Sequence, residues 1–262
     1  MSVLLVLALG VLQGLTEFLP VSSSGHLALA QLLVPGFSQP GLLFDLALHL
    51  GTVVSVLVLE RERLGEVLRQ RCAGRLALLL LAGTAATAVL AFPLRHLAER
   101  AFQEPAWIGA GFLLTAVLLL ASAKKAPGPE GLPSLRQAVL VGLAQGVAVF
   151  PGLSRSGTTI AAALAAGVGR RWAADFSFLL AIPAIGGATL VEAAEQRHVL
   201  IAQGGEFWQL CLLGALAAAG SGVLALAVVR KLVQERKLAA FAWYLLPLGA
   251  LVLLGAFGGW WR

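Results

Sequence analysis

Charge is scarce in this chain of 262 residues: Asp, Glu, Lys and Arg make up 12% of it against 59% hydrophobic residues, and the mean hydropathy is +0.88. That balance excludes an ordinary soluble globular domain and places the chain among polytopic membrane proteins. Cysteine is nearly absent. Cys72 stands in a charged stretch and Cys211 in an apolar one, a placement that suits neither a paired metal site nor a disulfide, so both are read as structural. Met1 to Leu12 has no basic lead-in and no small-residue cleavage site ahead of the polar cluster that follows, so the first apolar segment is not read as a removable signal peptide. The net charge of +6 is the kind that attracts nucleic acid. Here, however, the basic residues fall in short clusters between apolar runs, which is the pattern of membrane topology, and no nucleic-acid partner is expected.

A helix that crosses a bilayer needs about 20 apolar residues. Six stretches meet that requirement, at about 41–59, 76–94, 105–123, 175–194, 207–229 and 239–259. Two further apolar regions, about 2–34 and 137–169, are broken in the middle by Pro, Gly and Ser. Their returning pieces, from about His26 to Val34 and from Thr159 to Val168, are too short to cross. Irregular backbone at membrane depth is tolerated only when it is packed in protein or lines a wet cavity, so each region is expected to be a re-entrant helical hairpin.

The two broken regions are copies. At a constant offset of 132 residues Gln13 pairs with Gln145, Gly14 with Gly146, Phe18 with Phe150, Ser22 with Ser154, Ser24 with Ser156 and Gly25 with Gly157. Each half then holds one hairpin and three spans, and an odd number of crossings turns the second half upside down. The expected fold is an all-α integral membrane protein with six transmembrane helices and two re-entrant hairpins in an inverted-topology repeat. It forms a single membrane domain over 1–262, with repeats 1–131 and 132–262. Lys and Arg number five at 60–75, three at 124–136, two at 170–171 and four at 230–237, against only Arg95, Arg100, Arg197 and Arg262 on the other side. The richer side is cytoplasmic by the positive-inside rule, which puts both termini outside. The hairpins enter from opposite faces, so their tips can meet near the midplane.

The joined tips would bring together Gln13, Glu17, Ser22, Ser23, Ser24 and His26 with Ser154, Arg155, Ser156, Thr158 and Thr159. Ionisable groups at membrane depth cost several kcal/mol unless paired or solvated, and they mark a functional site. Gly152 to Gly157, GLSRSG, opens a helical piece, so a positive helix end, a guanidinium and hydroxyls converge where an anion would sit. A planar guanidinium takes two phosphoryl oxygens at once, which favours a phosphate or diphosphate. Glu17 and His26 add acid–base capacity, with Gln13 and Glu17 four residues apart on one helical face. Two routes stay open: Ser23 as an activated nucleophile, or attack by water with Glu17 helping to hold a divalent ion.

Gln13-x-x-x-Glu17 followed by FLPVSSSGH, with PGLSRSGTT in the second half, resembles the undecaprenyl-diphosphatase family, also called the bacitracin-resistance family. The likeness spans almost the whole chain, including Phe44-Asp45 and Asp175 to Pro183. It implies a bacterial inner-membrane enzyme, open to the outer side, that hydrolyses undecaprenyl diphosphate to undecaprenyl phosphate and inorganic phosphate. It also implies a divalent cation (Mg or Ca) and a polyprenyl diphosphate lipid as partner. The family's acidic motif falls on Gln13 and Glu17, its histidine on His26, its serine pair on Ser22 and Ser23, and its arginine motif on Ser154, Arg155, Ser156 and Thr159. Gln13, where the family also accepts Glu, leaves one fewer carboxylate for a metal. The oligomeric state stays open, a homodimer included.

Plainer roles compete. Ser24 and Thr158 suit carbonyls one helical turn back equally well. Gln13 and Gln145 suit ties within the hairpins, and a buried structural network would account for Glu17, His26 and Arg155. His49 is read as a packing or hydrogen-bonding residue rather than a ligand, and His96 and His198 as loop residues. Asp45 and Asp175 are read as favouring helix N-termini, Asp45 also being near enough to support the site. Trp107, Trp172, Trp208, Trp243, Trp260 and Trp261 are read as an interfacial belt. A transporter of a phosphorylated lipid or anionic solute is the rival class, since inverted repeats with broken helices serve alternating access. A non-catalytic lipid-binding scaffold is a third.

Overall fold

The computed structural model describes residues 2–33, 42–126 and 128–260. Val34, expected to end the first hairpin, and Trp261 and Arg262 lie outside the described residues. All regular structure among the described residues is helical: α1 (Val3–Phe18), α2 (Ser23–Leu33), α3 (Leu42–Arg69), α4 (Ala73–Ala101), α5 (Pro105–Ala123), α6 (Leu135–Val147), α7 (Arg155–Ala165), α8 (Arg170–Glu195), α9 (Arg197–Ala202), α10 (Gly205–Gln234) and α11 (Ala239–Gly258). Six of these, α3, α4, α5, α8, α10 and α11, are long and apolar enough to cross a membrane. Large apolar side chains such as Leu81, Val89, Leu224 and Phe257 face outward, as a lipid solvent permits.

Local sequence sets the boundaries. Ser134 accepts from the Gln137 amide at 3.3 Å while its own amide donates to Gln137 Oε1 at 2.8 Å, a reciprocal cap that starts α6. Pro105 opens α5, where its missing N–H costs nothing. α1 and α6, of 16 and 13 residues, reach about 24 and 20 Å at 1.5 Å per residue. Both fall short of a hydrocarbon core about 30 Å thick.

These short helices are seated by paired glycines at the same repeat offset. Gly10 and Gly14 lay α1 on Gly214, Ala218 and Ser221 of α10, and Gly142 and Gly146 lay α6 on Gly83, Thr87 and Leu90 of α4. Small residues one turn apart let backbones approach closely where no hydrophobic drive separates helix from lipid. Each short helix thus rests on a long helix of the other half of the sequence. α5 pairs with α11, and α3 packs on α8 and α10.

Several helices outrun their sequence estimates for an electrostatic reason. α3 continues to Arg69 because its charged last turns are held: Arg63 Nη1 meets Glu66 Oε2 at 2.6 Å and Arg63 Nε meets Asp175 Oδ2 at 3.0 Å. Arg230 closes the group, with Nε 3.1 Å from Asp175 Oδ1 and a second nitrogen on the fully buried Glu60. This network ties α3, α8 and α10 together near the basic loops. It corrects the reading of Asp175, which sits in the second turn of α8, only 1% exposed, as a buried ion-pair partner rather than a helix-end charge. Trp172 also departs from the expected belt, being 7% exposed with the Arg63 guanidinium over its ring at 5.1 Å. His96 lies on the last turns of α4 and His198 on α9, not in loops. α4 runs past Pro93 to Ala101.

A β-carbon on Gly142 would run into the Gly83 backbone, whereas Gly186 has open space around it. Gly142→Val is therefore expected to lower stability by about 1–3 kcal/mol through overpacking, and Gly186→Ala to leave it unchanged. Thermal unfolding of the detergent-solubilised variants checks the contrast.

Candidate active site

The first break runs from Leu19 to Ser22, where α1 gives way to α2. Ser22 takes a left-handed backbone, φ 69°, uncommon for a residue other than glycine. Its hydroxyl caps α2 by accepting from the Gly25 amide at 3.3 Å. The second break runs from Ala148 to Ser154, and Ser154 caps α7 in the same way, accepting from the Gly157 amide at 3.1 Å. Here the left-handed residue is Gly152, φ 80°, pressed against the Ile108 backbone where a side chain has no room. Thr115 of α5 fixes this turn, accepting from the Ser154 amide at 3.0 Å and donating to Gly152 O at 3.2 Å.

The two breaks touch. Ser156 Oγ donates to Leu19 O at 3.3 Å, and Gly157 faces Pro20. Across this contact Arg155 Nη2 donates to Glu17 Oε1 at 2.5 Å. The other carboxylate oxygen, Oε2, accepts from Gln13 Nε2 at 2.9 Å and from Ser23 Oγ at 2.8 Å, and His49 Nε2 stands 3.7 Å away. The Arg155 guanidinium also lies over the Phe18 ring at 5.9 Å. Its remaining terminal nitrogen, Nη1, is buried without a partner among the described residues. The residue itself lines a cavity, and a charged donor left unmatched there calls for an explanation.

That wall belongs to a cavity of about 400 Å³. Glu17, Ser22, Ser23, Ser24, Ser154 and Arg155 make its polar end together with His49. The rest of it is mostly apolar, with Leu46, Ala91, Ala148, Val149, Ala184, Ile185 and Ala188, and takes in Thr87, Gln145 and Thr189 as well. Leu46 and His49 lie in the first turns of α3, and the α8 residues lie beyond Pro183, so the cavity is at the ends of α3 and α8 remote from the basic loops. The N-terminus of α7, at Ser154 and Arg155, also opens on it. This concentrates positive potential at the polar end.

Not every expected site residue is here. Gln13 stands behind Glu17 as its hydrogen-bond donor. Ser156 spends its hydroxyl on Leu19 O and on Ser154, and Thr159, fully buried, donates to Arg155 O and Ser156 O; both lock the tip rather than line the cavity. Thr158 Oγ1 is buried and unpaired among the described residues. His26, expected to share in the chemistry, sits to one side of the cavity. Its Nδ1 meets Ser22 O at 2.8 Å and its Nε2 meets Tyr244 Oη at 2.8 Å, and the ring stacks on Tyr244 of α11. Since Ser22 O can only accept, Nδ1 carries the hydrogen and Nε2 accepts from the tyrosine. His26 thus braces the left-handed turn just before Ser23 and does not line the cavity. The histidine at the carboxylate is His49, read from sequence as a packing or hydrogen-bonding residue, and its Nδ1 does bond Asp45 O at 2.8 Å. Only its place four residues after Asp45 in an apolar helix hinted otherwise.

A resident metal does not fit these residues. No group of three or more His, Cys, Asp or Glu placed to hold an ion occurs among the described residues, and both Glu17 oxygens already accept hydrogen bonds.

Six membrane-length helices around a buried carboxylate–guanidinium pair that borders a largely apolar cavity define a multi-pass membrane protein. The chain belongs to the family described as bacitracin resistance protein BacA, whose sequence model matches residues 6–251. It is 38% identical to a protein of Carboxydothermus hydrogenoformans, with 95% of each chain covered. It is 40% identical to one of Desulfosudis oleivorans, over 94% of this chain and 95% of the relative. A third relative, from Korarchaeum cryptofilum, is 35% identical over 97% and 99%. All three carry the name undecaprenyl-diphosphatase.

If Glu17 and Arg155 act as a pair, Glu17→Gln combined with Arg155→Met costs less stability than the two single changes summed, by about 1–3 kcal/mol. Thermal or denaturant unfolding of the four proteins measures it, and simple additivity would mean the contact contributes nothing.

Proposed function

We propose that the chain hydrolyses undecaprenyl diphosphate to undecaprenyl phosphate and inorganic phosphate in a bacterial inner membrane, returning the lipid carrier of cell-wall synthesis to use. Family membership supports this reading, as do relatives of that name aligned over nearly their whole length. The observation on this chain that carries it is the buried, unpartnered Arg155 Nη1 beside the hydrogen-bonded Ser23–Glu17 pair.

In this reading the diphosphate enters the polar end and engages Arg155 Nη1 and the N-terminus of α7, which stabilise charge on the phosphoryl oxygens. Its negative charge competes with Glu17 for the guanidinium. Glu17 Oε2 is then free to take the Ser23 hydroxyl proton as Ser23 Oγ attacks the terminal phosphorus. The bond from that phosphorus to the bridging oxygen breaks, and undecaprenyl phosphate departs with the electron pair. Glu17 passes the serine proton to the departing phosphate. In a second step water attacks the phosphoserine and gives a proton to the freed carboxylate, which returns it to Ser23 Oγ as inorganic phosphate leaves. His26 and Tyr244 act as positioning residues through the turn at Ser22. A divalent cation, not fitted by these residues alone, would have to arrive with the diphosphate and would there offset its negative charge.

The same reading takes α1–α2 and α6–α7 as re-entrant hairpins, and 1–131 and 132–262 as copies of opposite orientation in one membrane domain. It is supported by the touching breaks, by helices too short to cross, and by the reciprocal seating of α1 on α10 and α6 on α4. Both termini and the mouth of the cavity are assigned to the outer side. The cavity's distance from the cluster of basic residues supports that assignment.

Phosphate release from undecaprenyl diphosphate by purified protein, with and without chelator, is the test. Arg155→Ala is expected to remove about 10²–10³ of the turnover number while the protein stays folded, as losing an anion-stabilising donor does. Ser23→Ala is expected to remove at least about 10². Full activity in the first variant would contradict the reading; full activity in the second would assign the attack to water.

A further inference from the structure

The cavity does not end at the phosphate site, and its apolar end has an unusual wall. On α8 it is formed by Ala184, Ile185, Ala188 and Thr189, and on α4 by Ala91 and Thr87, whose hydroxyl is turned to Gly83 O and Gly142 O. Ala184 and Ala188 are one helical turn apart, directly after Pro183, which lacks the N–H to continue the helical ladder. Ala188 is exposed at the protein surface, and Gly186 and Gly187 have nothing within 4 Å of where a β-carbon would stand. Small side chains on α4 and α8, with the cavity lining reaching the surface at Ala188, thus mark out a slot between the two helices. The α1–α10 side has no such opening, because Gly10 and Gly14 bring those backbones into contact.

We propose that this slot between α4 and α8 is the path of the polyprenyl chain, with Ala91, Ala184 and Ala188 setting which lipids enter. The inference rests on the hydrolase reading for the identity of the head group, and the geometry supplies the rest. A diphosphate held at Arg155 must trail its chain through a part of the wall that is both apolar and open to lipid. The polar end, with Glu17, His49 and the serines, does not accept isoprene units without stranding hydrogen-bonding groups. Continuity of one cavity from Arg155 to Ala188 makes the substrate's own chain the occupant, since an amphiphile in the membrane has its tail already in the lipid when its head reaches the site.

The test narrows the slot from each side. Ala188→Phe and, separately, Ala91→Phe are compared with Leu190→Phe, whose side chain is 73% exposed and lies on a different face of α8. Each slot variant is expected to lower kcat/KM for undecaprenyl diphosphate by at least about tenfold while hydrolysis of the five-carbon isopentenyl diphosphate stays within about twofold of the parent, because a clash with the chain beyond the first unit is felt only by the longer lipid. Leu190→Phe should change neither. Equal loss on both substrates, or no loss on the long one, would overturn the path. A photoreactive polyprenyl diphosphate reads the same path without turnover: its chain should label peptides holding Ala91 and Ala184–Ala188, and Ala188→Phe should abolish that labelling. Labelling confined to other helices refutes the slot even if no phosphate is released, whereas slot labelling without phosphate release would leave the path standing and remove the hydrolase.

Discussion

The contact between Glu17 and Arg155 is the constraint on which the site depends. Each residue sits at a break in a helix, 138 residues apart in sequence, and neither charge is tolerable at membrane depth alone. Pairing them offsets that cost and fixes the two tips against each other. It also leaves Arg155, whose Nη1 is unpaired among the described residues, and Ser23 lining one cavity. The remaining polar contacts at the tips maintain this arrangement: Gln13 steadies the carboxylate, Ser156 hooks Leu19 O, Thr115 holds the second turn, and His26 with Tyr244 braces the first.

Two kinds of polar cluster share the interior and do different things. The group at Glu60, Arg63, Asp175 and Arg230 brings carboxylates and guanidiniums together near the basic loops, joining three long helices. Breaking such a buried set leaves uncompensated charge, which makes it a strong tie between elements even when its net contribution is small. The group at Glu17 and Arg155, by contrast, keeps a donor unmatched and borders open space, which is what a binding site requires. The seating of α1 and α6 by glycines, in place of long side chains, lets broken helices sit deep in the protein without stranding backbone groups.

Much of this was legible in the sequence. The two polar breaks, their offset of 132 residues, the six spans and the pairing of Glu17 with a basic tip all follow from residue pattern. Ser22 and Ser154 were recognisable as equivalent, though their shared role as helix caps needed coordinates. Contacts between distant helices were not legible. His26 is expected in the chemistry for its acid–base capacity and its place in the family motif, and nothing local announces that Tyr244, 218 residues on, holds its ring. His49 looked like one histidine in an apolar helix until α3 was seen beside Glu17. Asp175 looked like a helix-end charge because Arg63 and Arg230 come from other helices. Thr159 sits within the arginine motif, yet the helical turn points its hydroxyl back at its own backbone.

The claim underlying the whole account is that the two breaks abut, and a disulfide reports it directly. A β-carbon on Gly157 would stand 3.1 Å from Pro20 Cβ, a little inside the usual span of a bridged pair. In a protein whose Cys72 and Cys211 have been replaced by serine, Pro20→Cys with Gly157→Cys is predicted to form an intramolecular disulfide in native membranes under mild oxidation, detected by mass spectrometry of the joined peptides. Two thiols that remain free in folded protein, each open to alkylation, would mean that the tips stay apart and that no composite site exists.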